Sequence, residues 1–131
     1  MPTIFQKLNL KDQKQILVMN PPESFEPVLN TLSDVEIKRS LEEVSEIDFA
    51  MAFVTQKAQI DELAPQLVDK ARGDVILWFV YPKGTSKKYK ADFNRDNGWD
   101  VIAEAGYQPV RMVAIDEDWS ALRFRRSIYV K

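Results

Sequence analysis

A chain of 131 residues with 45% apolar and 29% charged side chains has the size and make-up of one globular domain. Such a chain buries about two-thirds of its unfolded surface without a metal or cross-link. A formal charge of −2 argues against the strongly basic surface of a general nucleic-acid binder. Cysteine and histidine are both absent, which removes disulfides, thiolate nucleophiles, His-ligated metals and every catalytic arrangement that needs an imidazole base. Any catalysis would fall to carboxylates, lysines, tyrosines or a bound cofactor. No stretch approaches the roughly 18 apolar residues of a membrane span, and the N-terminus has no uninterrupted hydrophobic region; a cytoplasmic chain with no membrane partner is expected.

The opening, to Gln13, holds Ile4, Phe5, Leu8 and Leu10 and reads as a short helix or docked arm. Ile16-Leu17-Val18-Met19 is a continuous apolar run ended by Asn20-Pro21-Pro22, as suits a strand buried on both faces of a parallel sheet. Phe25, Val28, Leu29 and Leu32 give the i, i+3, i+4, i+7 stripe of a helix on that sheet. Val35 to Lys38 alternates like an edge strand, and an acidic stretch (Glu42, Glu43, Glu46, Asp48) leads to a second apolar strand, Phe49 to Val54. Thr55 is the expected N-cap of a helix carrying Ile60, Leu63, Leu67 and Val68, closed by Gly73. Val75 to Tyr81 is the most apolar run and is expected to be a central strand ending at Pro82. After a polar loop from Gly84 to Lys90, a helix is expected to start near Asp92 or Asn94, carry Trp99, Val101, Ile102 and Ala105, and stop at Gly106. Pro109 to Ile115 reads as the next strand. Asp116-Glu117-Asp118 turns the chain, and Trp119 to Val130 alternates as an antiparallel return strand.

The element order β-α-β-β-α-β-α-β-β predicts a single α/β domain over residues 1–131, with a mixed, mostly parallel six-stranded sheet and one antiparallel C-terminal strand. This pattern resembles a trimmed methyltransferase-type Rossmann fold. The resemblance implies a three-layer Rossmann-like domain with strand order 2-1-3-4-6-5. Leu77-Trp78-Phe79-Val80-Tyr81-Pro82-Lys83 and Val113-Ala114-Ile115-Asp116-Glu117-Asp118-Trp119-Ser120-Ala121-Leu122-Arg123-Phe124-Arg125, with the helix start at Asn94-Arg95-Asp96 to Trp99 between them, are also similar to signatures of a bacterial domain family of unknown function.

The methyltransferase resemblance implies a glycine-rich turn after the first strand and a ribose-binding carboxylate at the end of the second. The chain has Asn20-Pro21-Pro22-Glu23-Ser24 and Arg39-Ser40 at those places, and Glu42 or Glu43 could substitute only with a shift of register. No cofactor is therefore expected, S-adenosylmethionine included.

Open α/β sheets bind ligands outside the carboxyl ends of their strands. Asn20, Glu23, Thr55, the loop from Tyr81 to Lys88 and Asp116 fall at that edge, and Trp119 and Ser120 begin there. Gly84 allows close backbone approach, Thr85 and Ser86 offer hydroxyls, and Lys83, Lys87 and Lys88 supply positive charge. The helix start near Asp92 to Arg95 adds N–H groups that favour anions, and Trp119 could stack on a planar ligand. The candidate ligand-binding set is Lys83, Gly84, Thr85, Ser86, Lys87, Asp116, Trp119, Ser120 and Arg123, with no catalytic or metal-ligating residue among them. Each has a blander reading: the lysines as solvated surface, Asp116 as a turn cap, Trp119 as half core, Arg123 and Arg125 as ion-pair partners. Three functions stay open. One is a non-catalytic domain for a small anionic ligand or a protein partner. The others are a divergent cofactor-dependent transferase using Lys83 and Asp116, and a homodimerising protein using a strand edge or the acidic 42–48 segment.

Overall fold

A computed structural model describes residues 4–10, 13–32, 34–93 and 97–130 of the chain. Strands β1 (Gln15–Met19), β2 (Glu36–Lys38), β3 (Ile47–Phe53), β4 (Ala71–Pro82), β5 (Tyr107–Ala114) and β6 (Trp119–Arg126) form one sheet in the order β2-β1-β3-β4-β6-β5. β1 is parallel to β2 and β3, and β3 to β4, whereas β6 is antiparallel to both β4 and β5. The fold class and strand order are those that the methyltransferase resemblance implied.

Successive side chains of a strand point to opposite faces, and the core divides accordingly. On one face Ile16, Val18, Phe49, Met51, Phe53, Trp78 and Val80 are buried under Phe5 and Leu8 and under Phe25 and Leu29. Those four come from α1 (Ile4–Lys7) and the residue after it, and from α2 (Glu26–Leu29) with the 3-10 turn before it. On the other face Leu17, Ala50, Ala52, Leu77, Phe79, Leu122 and Phe124 meet Ile60, Leu63, Leu67 and Ile102, which come from α3 (Lys57–Lys70) and α4 (Asp100–Glu104). The chain therefore changes face between the crossover after β1 and the crossover after β3. The carboxyl ends of β1 and β3 flank that switch point, where ligands of open α/β sheets bind.

Several boundaries differ from expectation, each for a local reason. The helical stripe after β1 is a 3-10 turn at Glu23–Phe25 running into the short α2; Phe25 and Leu29 are buried, and Val28 and Leu32 partly so. α3 is capped by Gln56, not Thr55: the Gln59 side chain turns back to accept from the Gln56 and Thr55 amides at 3.0 and 2.7 Å. Gly73 closes no helix, because α3 ends at Lys70 and the chain passes straight into β4. Asp92 starts no helix either. Its carboxylate accepts from the Lys57 amide at 2.7 Å and so serves the start of α3, while the next helix begins only at Asp100. Asn94, Arg95 and Asp96 lie outside the described residues. The return strand stops at Arg126 rather than Val130, and Ile128 beyond it is 82% exposed.

The N-terminal arm is held by one buried polar contact. Trp78, fully buried in β4, donates its indole N–H to the Leu8 carbonyl at 2.9 Å. Removing a buried donor leaves its acceptor unpaired, at a cost of about 1–3 kcal/mol. Trp78→Phe is thus expected to lower urea-measured stability by about that amount and to speed amide exchange over residues 4–10. Unchanged exchange there would show that the arm is held by packing alone.

Candidate functional site

Pro82 lacks an N–H and closes the β4 ladder opposite Trp119, the first residue of β6. Two segments therefore meet just beyond the carboxyl end of β4: the loop leaving that strand and the turn entering β6. The Lys83 amide donates to the Asp118 carbonyl at 2.8 Å, and the Ser86 amide folds back on the Lys83 carbonyl at 3.0 Å. The Ser86 hydroxyl donates to Asp118 Oδ1 at 2.9 Å while accepting from the amides of Tyr89 and Lys88 at 3.1 and 3.3 Å. On the other side, Asp116 Oδ1 accepts from the amides of Asp118 and Trp119 at 2.8 and 2.9 Å. Asp116 caps its own turn, the blander of its two readings.

These ties shape a cavity of about 710 Å³ lined by Tyr81, Pro82, Lys83, Gly84, Thr85, Ser86, Tyr89, Lys90, Ala91, Phe93, Met112 and Ser120. Five of the sequence-derived candidates (Lys83, Gly84, Thr85, Ser86 and Ser120) stand together on its wall. Lys87 is exposed on the loop, and Asp116, Trp119 and Arg123 are not wall residues. Trp119 offers no open ring to a ligand: at 4% exposure it lies against Phe53, centroids 5.4 Å apart, and under Tyr89 at 4.8 Å. Its indole N–H is buried with no hydrogen-bond partner among the described residues. Arg123 lies farther along β6, paired with Trp78 and not beside the Lys83 loop. Nor does a helix start contribute N–H groups at Asp92, whose carboxylate is committed to α3.

The wall also contains residues that sequence reasoning passed over. Tyr81, Tyr89, Phe93 and Met112 give it an aromatic and apolar half, opposite the amines of Lys83 and Lys90. The Tyr81 and Phe93 rings lie 5.7 Å apart, and Phe93 stands edge-on to Trp99 at 5.3 Å. Phe93 is set by Gly98, whose φ of +97° and position leave no room for a side chain: an added Cβ would lie 2.8 Å from the Cβ of Phe93. A glycine one residue before Trp99 is the one sequence signal that could have pointed here.

At the carboxyl ends of β1 and β2 the arrangement is different. Asn20 makes the sharp turn after β1 with a φ of +56°, the left-handed conformation usually left to glycine. Pro21 and Pro22 come next, and neither has an N–H to offer a ligand. Past the end of β2, the Glu43 carboxylate reaches back to accept from the amides of Arg39 and Ser40 at 2.7 and 2.9 Å. Arg39 itself grips Glu26 with two bonds of 2.8 Å. The Arg39 and Ser40 amides, helped by Lys38, hold the Glu43 carboxyl below its ordinary range. A carboxylate thus stands at the end of β2 after all, supplied from the next turn. For an adenosyl cofactor the β2 end therefore fits, while the two prolines leave the β1 turn short of backbone donors.

No family model matches the chain, and no curated protein sequence does. Solved structures do resemble it. The N-methyltransferase NodS of Bradyrhizobium japonicum in complex with S-adenosyl-L-homocysteine superposes with a TM-score of 0.59 at 15% identity, over 95% of this chain and 85% of that one. A phosphoethanolamine N-methyltransferase 2 of Haemonchus contortus, in complex with S-adenosyl-L-methionine, gives 0.60 at 10% identity. There the match takes in 96% of this chain but only 38% of the nematode protein. A SAM-dependent methyltransferase of Aquifex aeolicus gives 0.56 at 14% identity, over 94% and 87% of the two chains. The fold is the Rossmann-like fold of these proteins. The complexes with S-adenosyl compounds overturn the expectation that no cofactor need be considered, which had rested on the missing glycine and on Arg39-Ser40.

Ser86→Ala should cost about 1–2 kcal/mol, one or two net hydrogen bonds, and lower the melting temperature by about 3–6 °C. An unchanged melting temperature would mean that the loop is not tied to the turn. Because Glu43 titrates below its unfolded value of about 4.3, its stabilising effect is present above that pH and is lost as pH falls through the lower folded value. Wild type is accordingly expected to melt above Glu43→Gln at pH 7, by a margin that narrows as the pH falls below that unfolded value. A gap that persists in acid would rule out the carboxylate as its source.

Proposed function

We propose that this domain binds an S-adenosyl compound at the carboxyl edge of its sheet, and that the cavity at the end of β4 receives the molecule to be modified. The observation that carries the reading is the Glu43 carboxylate at the end of β2: exposed, ionised and fixed by two backbone amides. A carboxylate so placed can accept from the vicinal hydroxyls of a ribose with both lone-pair sets of its outer oxygen. The sheet order, shared with proteins solved with S-adenosyl ligands, supports the same reading. If the compound bound is S-adenosylmethionine, it would supply a methyl group from a sulfonium centre and be left as the thioether S-adenosylhomocysteine. The chain's own part would be to hold the ribose at Glu43 and to seat the second molecule in the cavity. There Tyr81, Tyr89 and Phe93 would contact an apolar or planar body, and Lys83 and Lys90 an anionic end. A site of this make-up, about 710 Å³, is within the range of small-molecule pockets.

A second reading has its own support in Pro21 and Pro22, which withdraw two backbone donors from the cofactor side. In it the cavity alone is the functional site, and it holds a small aromatic anion without group transfer.

Calorimetric titration with S-adenosylhomocysteine, and separately with 4-hydroxybenzoate, distinguishes the two. Under the first reading S-adenosylhomocysteine binds saturably, and Glu43→Ala weakens it at least about tenfold, the loss of one charge-assisted bond. Lys83→Ala leaves that affinity unchanged. Failure of S-adenosylhomocysteine to bind at millimolar concentration overturns the first reading, and benzoate binding abolished by Lys83→Ala then establishes the second.

A further inference from the structure

Away from the cavity, the outer half of the sheet carries three arginines close together on one face. Arg111 on β5 is directly opposite Arg123 on β6, and Arg125 stands two residues on, on the same face of that strand. Like charges directly opposed on a ladder repel, and this pair stands on the face covered by the N-terminal arm. The three arginines are unequally satisfied. Arg125 is gripped by Asp74 through bonds of 2.8 and 2.6 Å. Among the described residues, Arg111 reaches the neutral side-chain oxygen of Asn9, at 3.3 Å. Arg123, partly buried, has its Nε sealed from solvent with no partner among the described residues. Burial, with Arg125 and Arg111 adding to it and Asp74 opposing, pulls the Arg123 guanidinium below its ordinary value.

Arginine forks donate in pairs to oxyanions. Two of them facing each other across one ladder step present more donors than a single carboxylate can accept, whereas a phosphate group has oxygens enough for both. A doubly charged anion between them would turn their repulsion into shared attraction. Arg125, fixed on Asp74, would form a rigid positive rim. Nothing in the carboxyl-edge site uses these residues.

We infer that the β5–β6 face is a binding site for the phosphate group of a small phosphorylated molecule, held between Arg111 and Arg123. The full chain, labelled with 15N, is titrated with inorganic phosphate and with pyrophosphate at an ionic strength held constant with sodium chloride. The arginine Nε–H resonances are followed, and Arg123 is assigned through Arg123→Lys. The site predicts a saturable shift of the Arg123 signal, a rise in melting temperature with phosphate beyond that with chloride, and at least a tenfold weakening in Arg111→Gln, an exposed strand position that should fold normally. Tighter binding of pyrophosphate assigns a diphosphate-bearing ligand, and tighter binding of phosphate a monoester. A response no greater than that to chloride overturns the inference, as does phosphate binding equally strong in both variants. So does an Arg111→Gln protein that simply melts higher, with the Arg123 signal indifferent to phosphate.

Discussion

From Val75 to Pro82, β4 is buried without a break, and from Leu77 to Val80 it is paired along both sides, with a parallel neighbour in β3 and an antiparallel one in β6. The two kinds of neighbour make opposite demands on the chain. A parallel partner needs a crossover, and α3 with its buried Ile60, Leu63, Ala64 and Leu67 supplies it. An antiparallel partner must enter from the end at which β4 leaves. Proline at that end stops the ladder, so loop and incoming turn are forced together. The bond between Ser86 and Asp118, the cap at Asp116 and the cavity above them all result from where β4 is made to stop.

How far the residues alone reveal this is uneven, and the unevenness has physical causes. Continuous apolar runs such as Ile16 to Met19 and Val75 to Tyr81 suit strands buried on both faces, and their shortness favours strand over helix. The strand order was implied by the resemblance to methyltransferase-type Rossmann folds and not by the residues themselves. Helix limits were harder to read, since they depend on partners far away in sequence: the acceptor for the Lys57 amide is the carboxylate of Asp92. The carboxyl-edge loop was legible from Lys83 to Ser86. The aromatic half of its cavity was not, because Tyr81, Tyr89, Phe93 and Met112 come from separate segments and join only through the fold. Of the two readings of Trp119, the core one holds and the ligand-stacking one does not. Its position at a strand end suggested access, but Tyr89 closes over it.

The switch point between β1 and β3 shows how one architecture accommodates a changed turn. Asn20 provides the left-handed residue, and two prolines stiffen the chain immediately after it. Glu43 is brought back over the end of β2 by a 3-10 turn with a capping box of Ser40 and Glu43. Because that connection is short, the acidic segment never extends as a free tail. Glu46 and Asp48 are instead neutralised by Arg72 at the opening of β4. The carboxyl edge at the end of β2 and the start of β4 at the opposite edge thus both draw charged partners from the same short connection.

The outermost strand has a consequence for self-assembly. β5 leaves one row of backbone groups facing outward, with Val110 and Met112 38% and 42% exposed, the profile of a strand that could recruit another. Pro109 removes a donor from that strand, the register slips between Pro109 and Arg111, and Arg111 adds a charge at mid-strand. Bulge, proline and charge are the means by which edge strands resist templating another chain. The apolar rim of Val110 and Met112 thus lies on a strand whose backbone is poorly suited to pairing with a second copy.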